Sequence, residues 1–159
     1  MPRLAGKPPA GWHTKSSRSE HTRQLIAEAG FLYDSDAYND DAPYYVPVKT
    51  RTGHRQHLVL PYAFDTNDMR FFEGYQFVHA RDFVDYVVAA FDELWSEGAH
   101  APRMMTVGLH TRIIGRPGRI DALRQFLKHA QQKKRTWFAT REAIAQHWLE
   151  HCPPEGQSR

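Results

Sequence analysis

The chain has 159 residues, of which 41% are hydrophobic and 25% charged, a balance that excludes wholesale disorder, collagen-like repeats and low-complexity sequence and predicts a single folded domain. Lysine and arginine total 21 against 18 acids, a net charge of +3, too small an excess to imply a nucleic-acid partner. The longest apolar run, Phe83 to Phe91, is interrupted by Asp85 and falls short of the roughly 20 residues of a membrane span. No membrane partner is expected. Met1 to Ala10 holds no apolar core of a secretory signal, and the lone Cys152 suits a reducing compartment, so the expected location is cytoplasmic.

Residues 1–16, rich in Pro, Gly and Lys, read as a flexible N-terminal segment. Ser17-x-x-Glu20 has the spacing of a capping box, and Leu25, Ile26 and Ala29 follow with Gly30 behind them, which predicts a helix over about 18–29. Phe31-Leu32-Tyr33 predicts a buried strand that opens into Asp34, Asp36, Asp40 and Asp41. Two prolines, a glycine and scattered charges make 42–56 a long loop, and loops of that length are often functional. Leu58 to Tyr62 is a second buried strand, followed by Asp65, Asn67, Asp68 and Arg70.

From Arg81 to Glu97, Phe83, Tyr86, Val87, Ala90, Phe91, Leu94 and Trp95 recur with the stripe of a helix packed on a core. Met104 to Leu109 reads as a third strand, with His110 and Arg112 directly after it. Pro117 suits the first turn of a helix bearing Ile120, Leu123, Phe126, Leu127 and Ala130. Thr136 to Ala139 reads as a fourth strand. Thr140 can cap a last helix over about 141–151, and 152–159 remains as a C-terminal tail. Strands apolar on both faces and alternating with helices predict an α/β fold with a parallel sheet, whose ligands sit at the carboxyl ends of the strands.

At that rim His110 can exchange protons, with Asp36 or another acid to orient it, or it simply terminates a strand. Arg112 and Arg116 can bind an anionic or carbonyl-rich substrate, or cap nearby carbonyls. Asp65, Asn67, Asp68 and Arg70 place two acids, an amide and an arginine in one loop, enough donors and acceptors to encircle a small polar heterocycle. Phe71-Phe72 is either a stacking platform or core. His54-x-x-His57 has zinc-pair spacing without a nearby third ligand, and the acidic run from Asp34 lacks the glycine and glutamate of a calcium loop, so no metal ligands are assigned. No Gly-rich phosphate loop, serine elbow or Cys pair is present.

Three stretches, Phe31-Leu-Tyr-Asp-Ser-Asp-Ala-Tyr-Asn-Asp-Asp, Leu60-Pro-Tyr-Ala-Phe-Asp-Thr-Asn-Asp-Met-Arg-Phe and Gly108-Leu-His-Thr-Arg-Ile-Ile-Gly-Arg-Pro-Gly-Arg, resemble the later motifs of the NodB-homology polysaccharide deacetylases, most closely their allantoinase-like branch. The resemblance runs from about Gly11 to Trp148. It implies the C-terminal part of a deformed (β/α) barrel, incomplete in this chain and occupying 17–151. It also implies hydrolysis of carbon–nitrogen bonds other than peptide bonds, in a small amide or ureide or in an N-acetyl sugar. By the same resemblance His110, after Leu109, is the general acid and Asp36 tunes it. Trp12 and Asp34 join Asp65, Asn67, Asp68, Arg70, Arg112 and Arg116 as substrate-binding positions, and Lys15 stands where the family usually has arginine. The family's first two motifs, an Asp-Asp pair and a metal-binding His-x-x-x-His, have no counterpart here. No cofactor is therefore expected in this chain, although full-length relatives can carry a divalent metal. A truncated or split form follows, weak or inactive alone, which self-associates or pairs with an N-terminal half. The alternatives are a sugar N-deacetylase and a non-enzymatic interaction remnant of the same fold.

Overall fold

The computed structural model describes residues 6–15, 17–72 and 76–154. Residues 1–5 and 16 of the expected N-terminal segment, and 155–159 of the expected tail, lie outside the described residues. The chain divides into two compact units, one formed by residues 1–62 with 139–159 and the other by 63–138.

The first unit holds strands β1 (Gly11–Trp12), β2 (Tyr33–Asp34), β3 (Tyr44–Thr50) and β4 (Gly53–Val59), helix α1 (Thr22–Glu28) and the last helix of the chain. The sheet order is β1-β2-β4-β3. β1, β2 and β4 are mutually parallel, whereas β3 pairs with β4 antiparallel from Tyr44↔Val59 to Thr50↔Gly53. The long loop expected over 42–56 is thus a hairpin. Tyr44, Val46, Val48 and Thr50 are good strand formers, and Gly53, at φ +129°, supplies the conformation that closes the short turn. Pro47 is tolerated because β3 is an edge strand. Gly11 is fixed by packing: a Cβ there would overlap the ring of Tyr33 on the neighbouring strand. Helix α1 starts at Thr22 with no side-chain cap, so Ser17 and Glu20 lie ahead of it and form no capping box. Gly30, at φ +82°, follows its end as expected.

The second unit holds a 3-10 turn (Asp68–Phe71), helix α2 (Ala80–Glu97) and helix α3 (Ile120–Gln132). Its core is one apolar cluster in which Phe83, Val87 and Phe91 of α2 meet Ala122, Phe126 and Ala130 of α3, with Phe71, Phe77, Ile113 and Ile114 from the connecting segments. Phe71, Phe77 and Phe83 pack ring on ring at 5.5 to 6.2 Å. The two helices follow their predicted stripes, except that Tyr86 and Leu127 are exposed, the Tyr86 hydroxyl donating to Asp65.

The strand expected over Met104–Leu109 is reduced to one parallel bridge, Asn67↔Gly108. The one expected over Thr136–Ala139 does not form. Trp137 and Phe138 are 58% and 54% exposed, so the apolar run that suggested a buried strand is not buried in this unit. Four parallel strands are therefore replaced by a mixed sheet of three parallel strands and one antiparallel edge. Helix α4 (Arg141–His151) belongs to the first unit, and the Thr140 hydroxyl caps it by accepting from the Ala143 amide. No helix among the described residues is long and apolar enough to cross a membrane.

Candidate active site

In the first unit the parallel strands β2 and β4 deliver Asp34-Ser35-Asp36 and Leu60-Pro61-Tyr62 to one rim. Asp34 is fully buried. Arg23 of α1 grips it with two bonds, Nε to Oδ2 at 2.7 Å and an Nη to Oδ1 at 2.9 Å, and the Asp36 amide donates to it at 2.9 Å. His57 of β4, also fully buried, brings Nε2 within 3.2 Å of Asp34 Oδ2, out of line for a hydrogen bond. Burial works to raise the Asp34 pKa, but the interactions with His57 and Arg23 and the Asp36 amide outweigh it and hold the carboxyl well below the ordinary range. Expected to touch substrate, Asp34 is instead a buried strut.

Asp36 is likewise buried. Its two oxygens accept from the Thr14 amide and the Thr14 hydroxyl, each at 2.6 Å, and His13 Nδ1 lies 3.2 Å away. His13 stacks on Tyr62 at 4.8 Å. Trp12 is exposed and donates through Nε1 to Thr14. Arg141 at the start of α4, which no local spacing marks out, donates to Ser35 Oγ at 2.7 Å and to the carbonyls of Leu60 and Pro61 at 3.1 to 3.5 Å. Burial lowers its pKa.

In the second unit the segments 66–68 and 106–110 run side by side. The Gly108 amide donates to the Thr66 carbonyl at 3.1 Å, the Asp68 amide to the Gly108 carbonyl at 2.9 Å, and the Thr66 hydroxyl to the Thr106 carbonyl at 2.5 Å. That pairing sets Asp68 beside His110. Asp68, 0% exposed, accepts from the amides of His110 at 2.7 Å and Ile114 at 3.2 Å, and its Oδ1 lies 2.6 Å from His110 Nδ1. A carboxylate only accepts, so Nδ1 carries the proton and Nε2 is the nitrogen left for a ligand. The His110 side chain keeps 32% of its surface exposed. The acid that orients it is thus Asp68; Asp36 is engaged with Thr14.

Of the remaining loop residues expected to encircle a substrate, Asn67 supports the turn that carries Asp68, and the others are placed elsewhere in the unit. Asn67 is buried and accepts from the Met69 amide to start the 3-10 turn. Arg70 donates to the Asp65 carbonyl and its guanidinium lies over Phe77 and Tyr86, at 4.9 and 4.5 Å. Asp65 is exposed and receives the Tyr86 hydroxyl. Both Arg112 and Arg116 are exposed and line a cavity. Phe71 is core and Phe72 is exposed. His54 and His57 lie on β4, His54 exposed and His57 buried. Asp68 as the histidine's partner was legible as an acid two strands' ends away, but not as to which acid.

No protein-family model matches the chain. A Schizosaccharomyces pombe (strain 972 / ATCC 24843) protein named "Putative polysaccharide deacetylase" is 41% identical over 157 residues, which is 91% of this chain and 49% of that protein. The solved structure of Puue Allantoinase superposes with a TM-score of 0.88 at 45% identity, covering 96% of this chain and 50% of that one. That of a "probable Polysaccharide deacetylase from Pseudomonas aeruginosa PAO1" gives 0.87 at 46%, covering 97% and 51%. The chain is thus similar to a protein named as a polysaccharide deacetylase and to solved structures of an allantoinase and a probable polysaccharide deacetylase, and its own fold is mixed α/β with a four-stranded sheet. It resembles their C-terminal half and spans about half the length of the curated relatives it matches.

Proposed function

We propose that this chain supplies the proton-donating half of a hydrolase acting on carbon–nitrogen bonds other than peptide bonds, with His110 as general acid and Asp68 as the residue that positions it. The observation that carries the reading is the buried Asp68 carboxylate 2.6 Å from Nδ1 of a histidine whose side chain is still reachable. In the reaction, water adds to the amide carbon while a base of the complementing half takes its proton, the carbon–nitrogen bond breaks, and His110, acting as an imidazolium with a second proton taken up on Nε2 from solvent, passes that proton to the departing nitrogen. Asp68 fixes the ring orientation and keeps Nε2 as the delivering atom.

A divalent metal is implied by the family resemblance. Among the described residues no group of three His, Cys, Asp or Glu side chains is arranged to hold one, so the residues do not fit a metal and no step is routed through it here. Activation of water then falls to a second chain or segment that complements this half, and the chain alone turns over slowly.

A small ureide such as allantoin is the leading substrate class, supported by the Puue Allantoinase likeness. An N-acetyl sugar is the second, supported by the names of the two deacetylase relatives. The test is an assay on allantoin and on N-acetylated chito-oligosaccharides, with the chain alone and with the other half of the Schizosaccharomyces pombe relative added as a separate chain. The expected result is hydrolysis of allantoin by the mixture and turnover several orders of magnitude lower by the chain alone. Ordinary enzyme rates, about 1–10³ per second, from a His110→Ala chain would overturn the assignment.

A further inference from the structure

We propose that the arginine-lined cavity of the second unit binds the phosphate group of a small phosphorylated molecule. This goes beyond the hydrolase reading and does not depend on it, since His110 is not among the residues lining the cavity. The cavity measures about 500 Å³ and is walled by Arg112, Arg116, Arg119, His79, Phe72 and Val78.

Three guanidinium groups line the cavity, and among the described residues of the wall there is no carboxylate. No ion pair joins Arg112, Arg116 or Arg119 to an acid among the described residues, although Arg103, Arg81 and Arg124 each have one. Like charges gathered without a counter-charge repel one another, and an anion relieves that repulsion. Arg119 is held face-on, its guanidinium 4.4 Å from the Phe71 ring centre and 5.2 Å from that of Phe72. Such stacking fixes the plane of the group while leaving its N–H edges to a ligand.

The backbone that carries the arginines is tightly bonded. Asp68 ties down the amides of His110 and Ile114, the amides of Ile113 and Ile114 return to the His110 carbonyl, and those of Arg119 and Ile120 return to the Arg116 carbonyl. A Cβ at Gly115 would collide with the Thr111 carbonyl. The three cations therefore project from a fixed turn that runs directly into the N-terminus of α3. Asp82, in the first turn of α2, is engaged with the amides of Val78 and His79 at 2.8 and 2.7 Å, so it answers the start of that helix.

The geometry favours phosphate over carboxylate. One carboxylate offers two oxygens and a single charge, enough for one guanidinium fork, whereas a phosphate ester offers three oxygens and nearly two charges to several. Exposed Phe72 and Val78 give the organic part an apolar wall, and the volume exceeds what a bare ion fills. Arg112 and Arg116 serve this site in place of the substrate role expected for them.

The test is isothermal titration calorimetry of the full chain at fixed ionic strength with phenyl phosphate, inorganic phosphate and benzoate. We expect saturable one-site binding of phenyl phosphate, weaker binding of inorganic phosphate if the organic wall contributes, and benzoate about tenfold weaker or worse. The double variant Arg112→Gln/Arg116→Gln should weaken phenyl phosphate at least about tenfold, the loss of one or two charge-assisted hydrogen bonds, with circular dichroism unchanged. Arg103→Gln, paired with Glu97 away from the cavity wall, should leave it unaltered. If the double variant does not fold, Arg116→Lys, which keeps the charge but loses the fork, should weaken binding several-fold. No saturable binding, benzoate as tight as phenyl phosphate, or an unchanged affinity in the folded variants would overturn the proposal.

Discussion

Each unit of this protein buries one aspartate completely against a histidine, and the two pairs have opposite fates. Asp34 in the first unit and Asp68 in the second are both 0% exposed, and both accept backbone amides. The histidine beside Asp34 is as buried as its partner, and Arg23 closes the cluster with its guanidinium. The histidine beside Asp68 keeps a third of its side chain in reach of solvent. A fully enclosed imidazole has no access to a substrate and can only hold the fold together. A half-enclosed one, fixed on one nitrogen and open on the other, can carry a proton to a ligand. Exposure of the histidine, more than the presence of the aspartate, separates structure from chemistry.

The largest expected effect falls on the second pair. In the mixed assay, His110→Ala should lower kcat by about two to four orders of magnitude, the usual contribution of a positioned proton donor, while denaturant unfolding changes little because the side chain is partly exposed. His57→Ala should do the reverse and leave kcat per folded molecule nearly intact while lowering stability by about 1–3 kcal/mol. Equal kcat losses from the two substitutions would erase the distinction drawn here.

Next in size is the strut itself. Asp34→Asn removes the carboxylate that Arg23 and His57 face inside the protein, and breaking a buried pair from one side typically costs about 3–5 kcal/mol. Chemical denaturation followed by far-ultraviolet circular dichroism would measure it, and a cost below about 1 kcal/mol would mean that the cluster is not a strut.

The sequence makes parts of this legible and leaves others hidden for physical reasons. Helices α2 and α3 could be read because Phe83, Val87, Phe91 and Trp95 in the one, and Ile120, Leu123, Phe126 and Ala130 in the other, recur at helical spacing. His110 could be read because a histidine stands directly after an apolar run. The hairpin over 44–59 could not, because Pro43 and Pro47 mimic loop punctuation and only an edge position makes Pro47 acceptable. Trp137-Phe138 misled in the other direction, since an apolar run signals burial without saying against what. Which acid faces His110 depends on pairing between segments 42 residues apart, information that local spacing does not hold. Nor does it hold the role of Arg141, whose partners are backbone carbonyls of Leu60 and Pro61 and the hydroxyl of Ser35.

The Asp34 cluster also gives the protein a signed pH dependence. Its folded-state pKa lies below the unfolded value of about 3.9. Between the two values the unfolded chain binds more protons, so stability rises with pH there. The contribution is fully present above about pH 4–5 and is lost as pH falls through the lowered value. Thermal melts stepped downward from pH 5 should therefore show a loss that Asp34→Asn, already lacking the ionisable group, does not show. A variant whose melting temperature falls as steeply as the wild type's would place the acid sensitivity elsewhere.

The smallest effect contrasts the helix starts of the two units. In the first, the Thr140 hydroxyl accepts from the Ala143 amide at 3.1 Å and opens α4 one residue before Arg141. In the second, Asp82 opens α2 by accepting the Val78 and His79 amides, and that acceptance lowers its own pKa. Thr140→Ala should cost about 1 kcal/mol, the usual worth of such a cap, and the cost should not change between pH 3 and pH 7 because a hydroxyl does not titrate there. Asp82→Ala should be destabilising at pH 7 and less so at pH 3, because with its folded-state pKa lowered the unfolded chain takes up the proton first and the cap's contribution shrinks with acid. Measuring both variants by urea denaturation at the two pH values separates a neutral cap from a charged one. A Thr140→Ala cost that shrinks with acid would show that a carboxylate, Glu142 in the first turn of α4, shares in this helix start, and that the hydroxyl does not act alone.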